Sequence, residues 1–152
     1  MKRKVFSCMM ALIMLFCCAT YPVCAATPEE LAPLSSAYIS SYTTSITRSS
    51  GSNIFYVNFS ISGTGLMDKI GATEIVVYRS PNMSQWFEYA TYSSSDYPSM
   101  LISSKAGYAE DVAVTGTYGY YFKAKVTVYA EKNGGSDSRE IYTNSLYLTS
   151  SG

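Results

Sequence analysis

The stretch Asn53–Ile61, NIFYVNFSI, alternates apolar Phe55, Val57, Phe59 and Ile61 with Tyr56, Asn58 and Ser60. Successive side chains of a strand point to opposite faces, so this period of two predicts a strand with one buried face. The same signature recurs in Tyr118–Ala130, YGYYFKAKVTVYA. There Tyr120, Phe122, Ala124, Val126 and Val128 share one face, with Tyr121, Lys123, Lys125, Thr127 and Tyr129 on the other. This second stretch is expected to be the longest strand of the chain.

Working outward, Ser49-Ser50-Gly51-Ser52 reads as a turn, and a strand over about Ala37–Thr47 pairs back as a hairpin. Ala72–Arg79 carries Ile75-Val76-Val77-Tyr78 and predicts another strand. Residues 79–84 form a loop, and Trp86–Tyr92 is the returning strand. Met100–Ser103 and Asp111–Thr115 read as short strands around a loop at Gly107. Asn133-Gly134-Gly135-Ser136-Asp137 is a hairpin turn, and Arg139–Leu148 closes the sheet. About seven or eight strands follow one another with no 3.6-residue period between them. That predicts an all-β fold, an antiparallel immunoglobulin- or fibronectin-like β-sandwich over residues 36–149. All four cysteines lie within the first 24 residues, so the sandwich is expected to have no disulfide. Gly116-x-x-x-Tyr120-x-Phe122 matches the position of a tyrosine corner, with Phe122 where an immunoglobulin domain has its second cysteine.

The first 26 residues have a different texture. Lys2-Arg3-Lys4 precede an apolar run, Val5–Ala19, that is shorter than the ~20 residues of a membrane span. Small residues follow at Cys24-Ala25-Ala26. This order predicts a signal peptide over 1–26, cleaved after Ala25 or Ala26, and a secreted, extracellular product with no membrane attachment. Residues 27–35 (TPEELAPLS) are expected to be a flexible leader. About 126 residues then remain, enough to bury a core without covalent staples.

Several motifs fall in one order: Asp68-Lys69-Ile70-Gly71-Ala72, the strand ending Val77-Tyr78, Trp86, Tyr129-Ala130, and Gly135-Ser136-Asp137-Ser138-Arg139. Together they resemble small secreted single-domain proteins of Gram-positive, Clostridia-like gut bacteria. The resemblance spans most of residues 36–148. It implies export and a β-sandwich, and it carries no functional residues with it. It also sets Tyr108 in a loop.

Chemistry is constrained mainly by what the chain lacks. It has no histidine, which excludes a histidine base or ligand. Without Lys2, Arg3 and Lys4 the chain has 8 basic against 11 acidic residues, which disfavours nucleic acid as a partner. Ser103-Ser104-Lys105 offers a serine beside a lysine, but neighbours on a strand point to opposite faces. Glu74 and Glu88 would face one another across the 72–92 hairpin, as a solvated pair rather than a hydrolytic one. Glu110-Asp111 and Asp137 lack the spacing of a calcium loop. Ser80-Pro81-Asn82-Met83-Ser84-Gln85-Trp86 is a plain hairpin connection, and Gly63-Thr64-Gly65 lacks what a phosphate loop requires. No catalytic residue, cofactor or metal is expected.

Tyrosine is the informative residue, with 14 of the 15 falling after Ala26. If Ile75 and Val77 face the core, Glu74, Val76 and Tyr78 face out. Phe87 and Tyr89 would then face in, leaving Trp86, Glu88, Ala90 and Tyr92 outside. The expected ligand surface is therefore Tyr78, Trp86 and Tyr92, because exposed aromatic patches mark binding sites. The expected function is a non-enzymatic interaction or adhesion module for a protein or glycan partner. A carbohydrate-binding module is the alternative, and a hydrolase the remote third.

Overall fold

The computed structural model describes residues 36–150. The expected signal peptide and leader lie outside the described residues. Among the described residues seven strands follow in order: β1 Ile39–Arg48, β2 Ile54–Ser80, β3 Phe87–Ser93, β4 Leu101–Thr115, β5 Tyr121–Lys132, β6 Gly135–Tyr142 and β7 Leu146–Tyr147. One 3-10 turn, Pro98–Met100, precedes β4. Every strand pairing is antiparallel.

The alternation read in Asn53–Ile61 holds. Phe55, Val57, Phe59 and Ile61 are all buried, and β1 pairs beside them from Tyr42↔Ile61 to Arg48↔Phe55. Phe122, Ala124, Val126 and Val128 are likewise fully buried on β5. The rings of Phe55 and Phe122 meet at 4.8 Å between centroids, so the two best-patterned strands pack on each other through the core.

The longest strand, however, is β2, with 27 residues, and it absorbs two segments expected to be separate strands. Its first half pairs with β1 and β4, and its second half with β3 and β5. Lys69, Ile70 and Gly71 pair on both sides at once, with Ser103, Ile102 and Leu101 of β4 and with Glu131, Ala130 and Tyr129 of β5. The intervening glycines therefore bend the strand instead of ending it. The bend lies where the β2–β4 register slips, between Ser62 and Met67. Extra residues at such a bulge sharpen local twist and curl the sheet. At Gly71, φ is 152° and an added Cβ would fall on the Met100 carbonyl oxygen, so only glycine allows this approach. The curl also brings β1 to the segment after β6: Ile46 N–H donates to Asn144 Oδ1 (3.3 Å) and Arg48 to Thr149 Oγ1 (2.7 Å).

Three other expectations change in detail. β4 is one strand through Gly107, which pairs with Ser62, so Tyr108 is a strand residue and not a loop residue. Its ring packs edge-on against Phe59, with centroids 6.1 Å apart. The expected turn over 133–137 shrinks to Asn133-Gly134, with φ of 52° and 80°, and β6 starts at Gly135. Positive φ at both central residues is the type I′ geometry whose twist matches a hairpin. At the corner before β5, the hydroxyl that reaches backbone is Tyr89's, donating to the Thr115 carbonyl at 2.9 Å. Tyr120 is held differently, with the Arg79 guanidinium over its ring at 5.2 Å and over Tyr89 at 5.3 Å.

Candidate functional site

The outer face of the second half of β2 and its neighbours gathers the aromatic side chains. On β5, Tyr121 and Lys123 alternate with buried Phe122 and therefore point outward. Tyr78 pairs with Lys123, so the outward row continues on β2. On the far side of β5, Tyr142 pairs with Lys125 and Tyr147 with Tyr121. The Tyr121 and Tyr147 rings lie 4.6 Å apart, tilted by 40°. Tyr142 is 56% exposed and Tyr147 44% exposed.

Trp86 enters this face from the β2–β3 connection. Asn82 Oδ1 accepts from Ser84 N–H at 3.0 Å, and Ser80 Oγ accepts from Asn82 N–H at 3.3 Å, which ties the loop into a compact turn. Trp86, just ahead of β3, is half-buried. Lys123 Nζ lies 4.3 Å from its ring centroid and 5.5 Å from that of Tyr142. One ammonium is thus framed by two rings, a cation–π arrangement.

The polar groups around these rings are mostly committed. Lys125 Nζ and Glu140 Oε1 form an ion pair at 2.9 Å, and this hydrogen bond raises the lysine above its ordinary pKa. Glu88, opposite Tyr78, accepts from Thr91 Oγ1 at 2.9 Å. Lys123 makes no ion pair and no hydrogen bond to a protein oxygen among the described residues.

The three residues expected to form the ligand surface do not stay together. Tyr78 and Trp86 share the outer face, but Tyr92 does not. Val77 pairs with Ala90 while Tyr78 pairs with Glu88, so β3 carries one extra residue, Tyr89, between two consecutive positions of β2. An extra residue reverses the facing of everything beyond it. Ala90 and Tyr92 consequently stand opposite Val77 and Ile75 on the core side. Tyr92 packs there against Tyr97, with centroids 5.2 Å apart. Burial, and then the neighbouring Tyr97 and Tyr89, push its hydroxyl above the ordinary tyrosine pKa. Phe87, expected inside, is 55% exposed at the sheet edge. Lys123, Tyr121, Tyr142 and Tyr147 were missing from the expected surface. The outward positions of Tyr118–Ala130 already contained the first two, whereas the closing segment has no alternation that assigns Tyr142 and Tyr147 a face.

Other groupings separate. Glu88 stands four residues along β2 from Glu74, which places the two carboxylates about 13 Å apart by strand rise. Glu110 and Asp111 pair with Phe59 and Asn58, and so lie on opposite faces of β4. Ser103, Ser104 and Lys105 are all exposed, with Ser104 at φ 58° in the β4 bend. Among the described residues no three acidic side chains converge as a metal site. Nor is any helix of the described residues long and apolar enough to cross a membrane. Comparison of the chain with protein families, with curated proteins and with solved structures finds no match.

Proposed function

We propose that this chain is an exported, non-enzymatic binding module that engages its partner through the outer aromatic face of β2, β5 and β6. The observation that carries the reading is the cluster of Tyr78, Trp86, Tyr121, Tyr142 and Tyr147 around Lys123 on one sheet face. Aromatic rings with polar tips provide large, stiff contact area at small entropic cost, and folding alone gives no reason to leave them in water. Export is supported by the charged, apolar and small-residue order of residues 1–26.

The scaffold is read as an immunoglobulin- or fibronectin-like sandwich. Support comes from the division of pairings, with β1 and β4 on the first half of β2 and β3, β5 and β6 gathered at the second. The packing of Phe55 on Phe122 through the core, with ring centroids 4.8 Å apart, agrees with it.

A glycan is the favoured class of partner over a protein, because hydrogen-bonding groups flank three of the rings: Lys123 beside Trp86 and Tyr142, and Glu88 beside Tyr78. The test is binding of the exported protein to a glycan array and to intact cells of the producing organism. Trp86→Ala combined with Tyr142→Ser is expected to abolish binding. Asp111→Ala, on the outer face of the other half, is expected to retain it. Equal binding by the double variant, or none by the wild type, overturns the reading.

A further inference from the structure

We infer that the aromatic face recognises a uronic acid, with Lys123 as the group that holds the sugar carboxylate; this rests on the glycan reading above. Glu140 is ion-paired with Lys125 at 2.9 Å, and Glu88 accepts a hydrogen bond from the neutral Thr91 hydroxyl at 2.9 Å. The cation between the rings has no carboxylate partner among the described residues. Lys123 carries three N–H donors, yet it directs none at a protein oxygen among the described residues and lies over two ring faces instead. The face therefore presents one ammonium without a carboxylate partner, held in position by the rings on either side.

Geometry selects the anion. Lys123 covers one side of Trp86 at 4.3 Å and stands farther over Tyr142, at 5.5 Å, which is 56% exposed and so keeps area for stacking. A pyranose laid on Tyr142 would have its edge beside Lys123 Nζ. In a uronic acid the carboxylate is equatorial at C5 and lies near the ring plane, so the sugar can stack and pair at once. In an α-linked sialic acid the carboxylate is axial and would lift the ring from the platform. A charge-assisted bond between ammonium and carboxylate is also stronger than one to a neutral hydroxyl.

The test is calorimetric titration of the exported protein with tetramers of galacturonate and of glucuronate. Neutral xylotetraose and cellotetraose, and sialyllactose, serve as comparators, with melting curves confirming that each variant is folded. At least one uronate tetramer is expected to bind tenfold or more tighter than the neutral tetramers, and to weaken with added salt. Lys123→Met keeps the apolar stem and removes the charge, and is expected to lose that tenfold preference. Tyr142→Ser should lose binding altogether. Tight binding of neutral sugars with no uronate preference would overturn the uronate inference while leaving the glycan reading standing. So would uronate binding unchanged in Lys123→Met, or tighter binding of sialyllactose. Failure of both uronates to bind overturns it as well, and the array then decides the broader reading separately.

Discussion

Lys123 Nζ sits 4.3 Å from the centroid of the Trp86 ring. Because Trp86 is the only tryptophan, its fluorescence reports this contact without interference. The ring is half-buried, so the emission maximum should fall between that of free tryptophan and that of a core tryptophan. Lys123→Ala uncovers the ring face and should raise its quenching by acrylamide. A strongly blue-shifted, quencher-resistant emission would contradict the outer placement.

Phe122 and Lys123 are neighbours on β5 with opposite surroundings. Phe122 is fully buried against Phe55 and Tyr89, and Phe122→Ala should cost about 3–5 kcal/mol, the range for deleting a core aromatic. Lys123→Ala removes two cation–π contacts at a partly exposed site and should cost under about 1 kcal/mol. Urea unfolding of the two variants measures the contrast, and comparable losses would mean the facing of β5 is wrong.

Tyr108 makes the fold sensitive to alkali. Its hydroxyl donates to the Ser99 carbonyl at 2.6 Å and lies 2.7 Å from Glu110 Oε2. Burial, then the hydrogen bond with Glu110, push its pKa up to about 12, against about 10 in the unfolded chain. The folded state thus holds this proton more tightly. The associated stability is fully present below about pH 10 and is lost as pH rises through 12. Tyr108→Phe should flatten the decline of Tm between pH 10 and 12. An unchanged slope would show that other groups govern alkaline unfolding.

Gly71→Ala should be among the most damaging single-methyl additions. The new Cβ meets the Met100 carbonyl at a φ of 152°, where backbone on both sides is tied into the β2–β4–β5 pairing. Strain and overpacking together suggest a loss of about 3 kcal/mol or more. A shift in Tm no larger than that of a surface substitution would show that the Met100–Leu101 backbone moves freely.

Asn53–Ile61 and Tyr118–Ala130 could be read directly because strict alternation needs only one buried face to make sense. What alternation cannot encode is a bulge. The single extra residue Tyr89 leaves Glu88 outside and carries Tyr92 to the core, and nothing in Trp86–Tyr92 itself marks the reversal; it arises from pairing with Val77 and Tyr78. Glycine misled for a similar reason. Gly63, Gly65 and Gly107 resemble the punctuation of loops, yet all three lie within strands. There the missing side chain serves close approach and bending, which depend on residues distant in sequence. Tyr78 and Trp86 keep the outward facing read for them because they lie before the bulge, whereas Tyr142 belongs to a strand whose pattern did not reveal its facing.

The continuity of β2 determines where this chain tolerates added sequence. Gly63-Thr64-Gly65 has the composition of a permissive loop, but its backbone belongs to the strand that serves both halves of the sheet. A peptide inserted there would divide the one element to which β1, β3, β4 and β5 all attach. Pro81–Gln85, by contrast, is exposed and lies between paired strands. Tags or grafted epitopes belong in that loop, at the cost of standing beside Trp86, or at the Gly51 turn, at the end of the first half of β2.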